Sequence, residues 1–381
     1  MTMELNNIRE HIDSIDREIT RLFVERMETV AQVAASKKST GKAIRDRARE
    51  RTIINRVTEQ AGETYAPYVK DLYKLLFELS CNYQSTLMGH TSALSAQLID
   101  ACAQYAGKRL PNRALVACQG TEGAYAQQAC EKLFEYPDIL YFDSFDGVFN
   151  AVEKGMCEYG ILPIENSTAG SVTQVYDLME KHSFHIVGAR KLRIDHHLMR
   201  KPGVTGPIRE IVSHEQALRQ CSEFFAAHPE YEAVPMKNTA VAAEFAAATD
   251  RDDVAVIASK ACAELYNLEI VSESVSNAQS NYTRFICISR KMEVYPHARK
   301  ISITCSLPHE AGSLNSIISR LAIAGVNLCK LESRPIPGRE FEFRFFFDME
   351  ADLHDPEIVK LICELEDRTE HFVFLGAYEE R

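Results

Sequence analysis

No stretch of this 381-residue sequence approaches 18 consecutive apolar residues, so no segment reads as a membrane-spanning helix. Its start, MTMELNNIRE, lacks the charged-then-apolar run of a secretory signal, and a cytoplasmic protein is expected. There is no CxxC among the 11 cysteines, which are odd in number and scattered. They read as reduced thiols filling cores. The 12 histidines offer no HExxH or similar ligand spacing, so no metal site is expected. Neither GxxxxGK nor GxGxxG occurs, and the nearest approach, Gly120-Thr-Glu-Gly123, lacks the full spacing. That counts against a nucleotide or nicotinamide cofactor, and none is expected. Positive charge is also short, with 43 Lys and Arg against 54 Asp and Glu, a net charge of −11. Phosphate contact rests on clustered cations, so a general nucleic-acid binder is excluded, though a basic pocket for a small anion is not.

What is present fits a soluble globular chain, with 46% apolar and 25% charged residues. Two or three domains are expected at this length. From residue 4 to about 88, Leu5, Ile8, Ile12, Ile15, Ile19, Leu22 and Val30 recur at threes and fours, and no proline intervenes before Pro67. The pattern predicts a long first helix, a break near Ser39-Thr-Gly41, a second helix over 43–60 and a third over 66–88. A connector helix from Ser92 to Leu110 follows.

Between Arg113 and about Arg290, apolar runs at 115–117, 139–142, 159–162, 211–212 and 254–257 alternate with helical stretches such as 145–154, 215–227 and 239–248. Such alternation predicts an α/β domain with a mostly parallel sheet, long enough for two lobes. Its last stretch, SNAQSNYTRFICISR, puts Phe285, Cys287 and Ser289 on one side and Ile286, Ile288 and Arg290 on the other. That is a strand, entered through Asn281, Tyr282, Thr283 and Arg284. Past Tyr295-Pro296 the order is strand 300–307, helix 313–324, strand 326–334, strand 341–348, helix 355–367 and strand 371–378. This βαββαβ order resembles a ferredoxin-like fold. Phe341, Phe343, Phe345 and Phe347 share one face and read as core packing.

In the helical segment, polar residues group by face. Arg26 and Lys37 share a stripe roughly 16 Å long. Asp46, Arg49 and Glu50 sit at i, i+3 and i+4, and Ser80 and Gln84 at i and i+4. With Arg9, these are either solvated helix faces or forks for a small dianion, because Arg binds carboxylates bidentately. The order and spacing of "IREHIDSIDREI…VERM", Lys37, "IRDRARER" and "SCNYQ" resemble the helical chorismate mutase family. The resemblance implies that Arg9, Arg26 and Arg49 bind the carboxylates of chorismate, assisted by Ser80. It places Lys37 and Gln84 at the ether oxygen, and Glu50 and Asp46 at the ring hydroxyl. A pericyclic rearrangement needs no nucleophile or base, only a compact substrate and donors where charge develops. Arg9 and Arg26 lie roughly 25 Å apart along a straight helix. A site that uses both must take Arg9 from a second subunit, so an intertwined homodimer or higher homo-oligomer is expected.

Gly120-Thr-Glu-Gly-Ala-Tyr125, Pro163-Ile-Glu-Asn-Ser167, Val175-Tyr-Asp-Leu178, Ser213-His214, Asn238-Thr239 and Asn281-Tyr-Thr-Arg-Phe285, in that order, resemble prephenate dehydratase. Prephenate loses its ring hydroxyl and ring carboxylate together to give phenylpyruvate, and water leaves well only if a donor serves the departing oxygen. The resemblance gives that place to Thr283, which would act through orientation in a dry site. It groups Glu165, Asn166, Ser167, Thr239, Thr283 and Arg284 around prephenate. Arg284 would hold a carboxylate or fix the strand end; Glu165 would meet substrate or cap the next helix. The chain departs from the pattern at Ala126, usually Ser, at Glu215, usually Pro, and at Asn267, usually Gly.

The third segment resembles an ACT domain. Gly312-Ser313-Leu314 and Leu331-Glu332-Ser333-Arg334-Pro335 resemble the two ligand motifs of phenylalanine-regulated members, with Ser313 where Ala is usual. Gly312 would let free amides at a helix start approach the effector L-phenylalanine. The whole chain thus resembles the bifunctional chorismate mutase/prephenate dehydratase family. The implied domains are an all-α mutase over 1–90, a helical linker over 91–112, a two-lobed, periplasmic-binding-protein-like α/β dehydratase over 113–292 and an α+β regulatory domain over 298–381. The expected function is a feedback-controlled enzyme of phenylalanine biosynthesis. A non-catalytic amino-acid or anion sensor with a helical dimerisation module is the alternative, and the missing dinucleotide fingerprint counts against a prephenate dehydrogenase.

Overall fold

The computed structural model describes residues 2–40, 44–88, 93–278, 280–339 and 342–381, and the chain divides into two compact units, Met1–Ala96 and Gln97–Arg381. In the first unit α1 (Thr2–Thr40) packs against α2 (Arg47–Met88). Gly62, at φ 70° and ψ 165°, interrupts α2 with a backbone that favours glycine. The helices expected over 43–60 and 66–88 are therefore two limbs of one kinked element. Ser39 and Thr40 are still helical, while Gly41, Ser92 and Phe341 lie outside the described residues. Leu5, Ile8, Ile12, Ile15, Ile19 and Leu22 form a heptad-spaced stripe on α1, 47% to 58% exposed.

The second unit starts at Gln97, within α3 (Ala93–Tyr105). Its first lobe contains β1 (Arg113–Gln119), α4 (Tyr125–Leu133), β2 (Tyr136–Phe142), α5 (Phe145–Glu153), β3 (Tyr159–Asn166), β4 (Gly170–Ser171), α6 (Thr173–Met179) and β5 (His185–Arg193). The chain then builds a second lobe from β6 (His197–Arg200), β7 (Glu210–His214), α7 (Glu215–Gln220), α8 (Ser222–Ala227), β8 (Glu232–Met236), α9 (Thr239–Ala248), β9 (Val254–Ala258), α10 (Lys260–Leu265) and β10 (Glu269–Ser272). Strand β11 (Tyr282–Ser289) returns to the first lobe. Last come β12 (Lys300–Ser306), α11 (Ser313–Ile323), β13 (Asn327–Pro335), β14 (Phe343–Glu350), α12 (Pro356–Arg368) and β15 (Glu370–Tyr378).

The first sheet runs β2-β1-β3-β11-β5 and the second β10-β6-β9-β7-β8. The expectation of mostly parallel sheets needs correction. Strands β2, β1 and β3 are parallel, but β11 is antiparallel to both its neighbours. In the second lobe β8, β7 and β9 are parallel, and β6 and β10 join antiparallel. Each sheet gains antiparallel strands because the chain crosses between lobes and comes back.

The C-terminal sheet, β13-β14-β12-β15, is antiparallel throughout and has ferredoxin-like connectivity. Of its expected ring row, Phe347 is buried, Phe345 half-buried and Phe343, which opens β14, exposed. The sheet's other face joins the first lobe. Phe285 and Cys287 of β11 pack with α4, whereas Ile286 and Ile288 share a core with Phe346, Leu375 and Tyr378. The chain end then adds to the free edge of β5, with Ala189 N donating to Glu379 O at 2.9 Å and Lys191 N to Arg381 O at 2.9 Å. A Cβ on Gly376 would lie 2.1 Å from Ile186 O, so only glycine permits this approach. Segments 113–292 and 298–381 keep separate sheets within one compact unit.

Candidate active sites

In the helical unit Ser80 and Gln84 are only 5% and 6% exposed, one turn apart on α2. Burying two polar side chains there requires partners. Arg26 supplies one, donating to Ser80 Oγ and to Leu76 O at 3.3 Å. Burial draws the Arg26 guanidinium below its ordinary range. Gln84 Nε2 donates to Ser80 O at 3.2 Å, leaving Gln84 Oε1 buried with no partner among the described residues. Lys37 donates to Ile44 O. Asp46 precedes α2 and accepts from Arg49 N at 3.0 Å, an N-cap bond. Glu50 pairs with Arg45 at 3.3 Å, and Arg45 reaches Glu78 at 3.1 Å. Arg9 and Arg49 are exposed. Arg26 thus meets Ser80, whose carbonyl holds Gln84 one turn on, while Arg9 stands far up α1.

In the first lobe, antiparallel β3 and β11 bring Asn166 opposite Thr283. Asn166 Nδ2 donates to Thr283 Oγ1 at 2.9 Å and to Asn281 Oδ1 at 2.8 Å. Asn166 Oδ1 accepts the amides of Thr168 and Ala169 at 3.1 and 2.9 Å and the Thr168 hydroxyl at 2.7 Å. Both ends of the amide are therefore committed. Since the Thr283 oxygen already accepts, its own proton is available to a neighbour in the cleft.

The network continues into the second lobe. Gln220, ending α7, donates to Thr168 Oγ1 at 3.0 Å and accepts from Asn281 Nδ2 at 3.1 Å. His196 Nε2 lies 3.0 Å from the same Gln220 oxygen, and burial lowers the imidazole pKa, so the neutral ring donates. Gln220 therefore bridges the lobes beside Thr283. Sequence reasoning passed over Gln220, Thr168 and His196. The only sign of Gln220 was a polar residue closing a helix just beyond a buried strand, where open sheets place ligands.

Ser167 Oγ accepts from Tyr282 N at 2.9 Å and Ser167 N donates to Tyr282 O at 2.8 Å, clamping β3 to β11. Thr239 opens α9 after the cap Asn238, which accepts from Val241 N at 2.7 Å; among the described residues no hydrogen bond joins it to the Asn166 set. His214 caps α7 through Nδ1, accepting from Gln216 N at 3.3 Å. Asn267 has φ 51°, a left-handed position that explains the usual glycine and that Asn tolerates. Ala126 is buried in the α4 core.

Glu165 and Arg284 face the other way. Glu165 meets Lys330 at 3.0 Å and Arg284 at 3.8 Å. Arg284 pairs with Asp348 and lies 3.4 Å from Glu380. Burial lowers its pKa, but the charge and hydrogen bond of Asp348 together with the neighbouring Tyr378 and Tyr176 outweigh that effect, and the net shift is upward.

In the C-terminal part, Gly312 at φ 93° precedes α11, with Ser313 N donating to Glu310 O at 3.2 Å and Leu314 in the first turn. Strand alternation splits the second motif. Glu332 accepts from Ser171 Oγ at 2.7 Å, and Arg334 grips Asp177 through two bonds of 2.9 and 3.0 Å. Ser333 and Pro335 are exposed on the opposite face with Leu331. Among the described residues there is no cluster of metal-ligating side chains, and no helix is long and apolar enough to cross a membrane.

Comparison with known proteins agrees with this division. Residues 8–85 match the family model "Chorismate mutase type II" and residues 116–293 match "Prephenate dehydratase". A bifunctional chorismate mutase/prephenate dehydratase of Enterobacter agglomerans is 31% identical over 97% of this chain and 95% of its own length. A prephenate dehydratase from Arthrobacter aurescens, solved in complex with L-Phe, is 25% identical with a TM-score of 0.63, covering 69% of this chain and 89% of that one. The solved structure of GqqA, described as a novel type of quorum quenching acylases, is 30% identical with a TM-score of 0.64, covering 70% of this chain and 98% of that one. The N-terminal unit is thus a helical mutase domain, and the mixed-sheet part has the dehydratase fold.

Proposed function

This chain belongs to the bifunctional chorismate mutase/prephenate dehydratase family, and on that premise we propose which side chains carry its two activities. It is an enzyme of phenylalanine biosynthesis that rearranges chorismate to prephenate and converts prephenate to phenylpyruvate. In the mutase, Arg26, Ser80 and Gln84 form the preassembled half of the site. The Gln84 oxygen, which has no partner among the described residues, marks a side chain that reorients when substrate enters. Lys37, Asp46, Arg49 and Glu50 complete that half. Arg9 comes from a second copy, whose α1 stripe covers the exposed heptad positions of the first.

The dehydratase reading rests on one observation: Asn166 donates to the Thr283 oxygen at 2.9 Å. Held so, the Thr283 hydroxyl points its proton at the departing ring hydroxyl as carbon dioxide leaves. Ser167 and Thr239 border the same cleft of a periplasmic-binding-protein-like pair of lobes. The C-terminal βαββαβ unit is an ACT domain that binds L-phenylalanine and inhibits the dehydratase, as the L-Phe complex of the Arthrobacter relative suggests. The protein works in the cytoplasm as a homodimer or larger homo-oligomer.

The test is to supply chorismate and follow prephenate and phenylpyruvate. The parent should form phenylpyruvate, and Thr283→Ala should stop at prephenate with the mutase rate unchanged. Normal phenylpyruvate formation by that variant would remove Thr283 from the mechanism.

A further inference from the structure

Successive side chains of a strand point to opposite faces. On β11, Thr283 turns to the cleft and Arg284 to the face covered by the C-terminal sheet. There the Arg284 side chain is 6% exposed among Asp348 of β14, Glu380 near the chain end and Glu165 of β3. Asp348 is also buried and accepts from Ser302 Oγ at 2.6 Å, and Ser302 shares a 2.8 Å hydrogen bond with the Tyr378 hydroxyl. Strand β3 repeats the alternation. Asn166 reaches Thr283, while Glu165 reaches Lys330 of β13, which also donates to Ser171 Oγ at 2.9 Å. Each cleft-facing residue is therefore one peptide unit from a residue anchored in the C-terminal sheet. The β3–β11 register shifts between Arg284 and Phe285, so a bulge sits beside the anchor. Bulges are places where a strand re-aims its side chains.

We propose that Arg284 is a positioning residue and not a prephenate ligand: its ion pair with Asp348, supported by Glu165 and Lys330, carries the state of the C-terminal unit to Thr283 and Asn166. This rests on the phenylalanine reading above. A substrate carboxylate could reach the guanidinium only by displacing Asp348 from a buried, charge-assisted contact, and leaving either partner unpaired there is costly. Because the pair is directional, a shift of β14 relative to the first lobe moves Arg284, and with it the neighbouring Thr283.

The experiment uses the full chain, since removing residues 298–381 would expose the core around Ile286 and Ile288. Asp348→Asn breaks the pair, Lys330→Met breaks its support, and Arg284→Met with Asp348→Leu removes both charges while keeping apolar bulk. Prephenate kinetics are measured with and without L-phenylalanine, its binding by calorimetry, and the mutase rate as a check on the fold. In Asp348→Asn, kcat should fall about threefold or more with KM held within about twofold. In all three variants inhibition at saturating L-phenylalanine should drop below about half the parent extent while the effector still binds. Parent-like kcat and parent-like inhibition in Asp348→Asn and the double variant would overturn the proposal. So would Arg284→Lys raising KM about tenfold with kcat kept, the mark of a substrate ligand. If the parent neither binds nor responds to L-phenylalanine, the effector reading fails by itself, and the kcat–KM split still decides whether Arg284 positions Thr283.

Discussion

A side-chain amide with both ends bonded cannot flip, and Asn166 is such a residue: its oxygen takes three donors and its nitrogen serves Thr283 and Asn281. Asn166→Asp keeps the shape but offers Thr283 an acceptor in place of a donor. The Thr283 proton would then turn to the carboxylate and away from substrate. Dehydratase kcat should fall by about 10²–10³, as when a positioned donor is removed elsewhere, with a smaller change in KM. Steady-state kinetics with prephenate check this, and a parent-like kcat would sink the orientation argument. Thr283 and Asn166 were named from the sequence because their local strings are distinctive, and the fold brings the two side chains together. Gln220 was not, because its partners Thr168 and Asn281 lie 52 and 61 residues away and nothing local announces them. The sequence resemblance groups Arg284 with Thr283 around prephenate; the fold puts the two on opposite faces of β11, and Asp348, which meets Arg284, belongs to a different sheet.

The elements themselves were largely readable, for a physical reason: periodicity reports which side of an element is apolar. The βαββαβ order after residue 296 and the long α1 came from that signal alone. Strand direction did not, since an apolar run reads the same both ways, and the antiparallel β11 had to be found in space. The α1 stripe carries a further consequence. Leu5 to Leu22 are about half exposed, and on the proposal of a shared site a second copy would cover this seam and carry its Arg9 to the first copy's Arg26. Mixing Arg9→Ala with Arg26→Ala chains, each nearly inactive alone, therefore makes heterodimers with one complete site and one doubly defective site. With random exchange half the dimers are mixed and half their sites intact, so about a quarter of parental mutase activity should return. No recovery despite demonstrated exchange would exclude a shared site that uses both arginines.

At the scale of the whole molecule, the C-terminal part is welded to the first lobe through a shared core, the tail on β5 and a cluster of buried charges. Domain boundaries drawn from pattern changes could not foresee this, because a boundary in sequence says nothing about what packs across it. Glu380 makes the weld sensitive to acid. Burial alone would raise its pKa, but hydrogen bonds from Lys191 and Lys300 and the charge of Arg284 outweigh that and hold it down to about 2, against an ordinary 4.5. The folded chain thus binds this proton less readily than the unfolded chain. Its contribution to stability is complete above about pH 4.5 and is lost as pH falls toward about 2. Glu380→Gln mimics the protonated side chain at every pH. Calorimetry should therefore show the variant melting below the parent near neutral pH, with the gap in Tm closing across that acid window. A gap that stays constant down to pH 2 would mean that Glu380 does not hold the C-terminal tail by its charge.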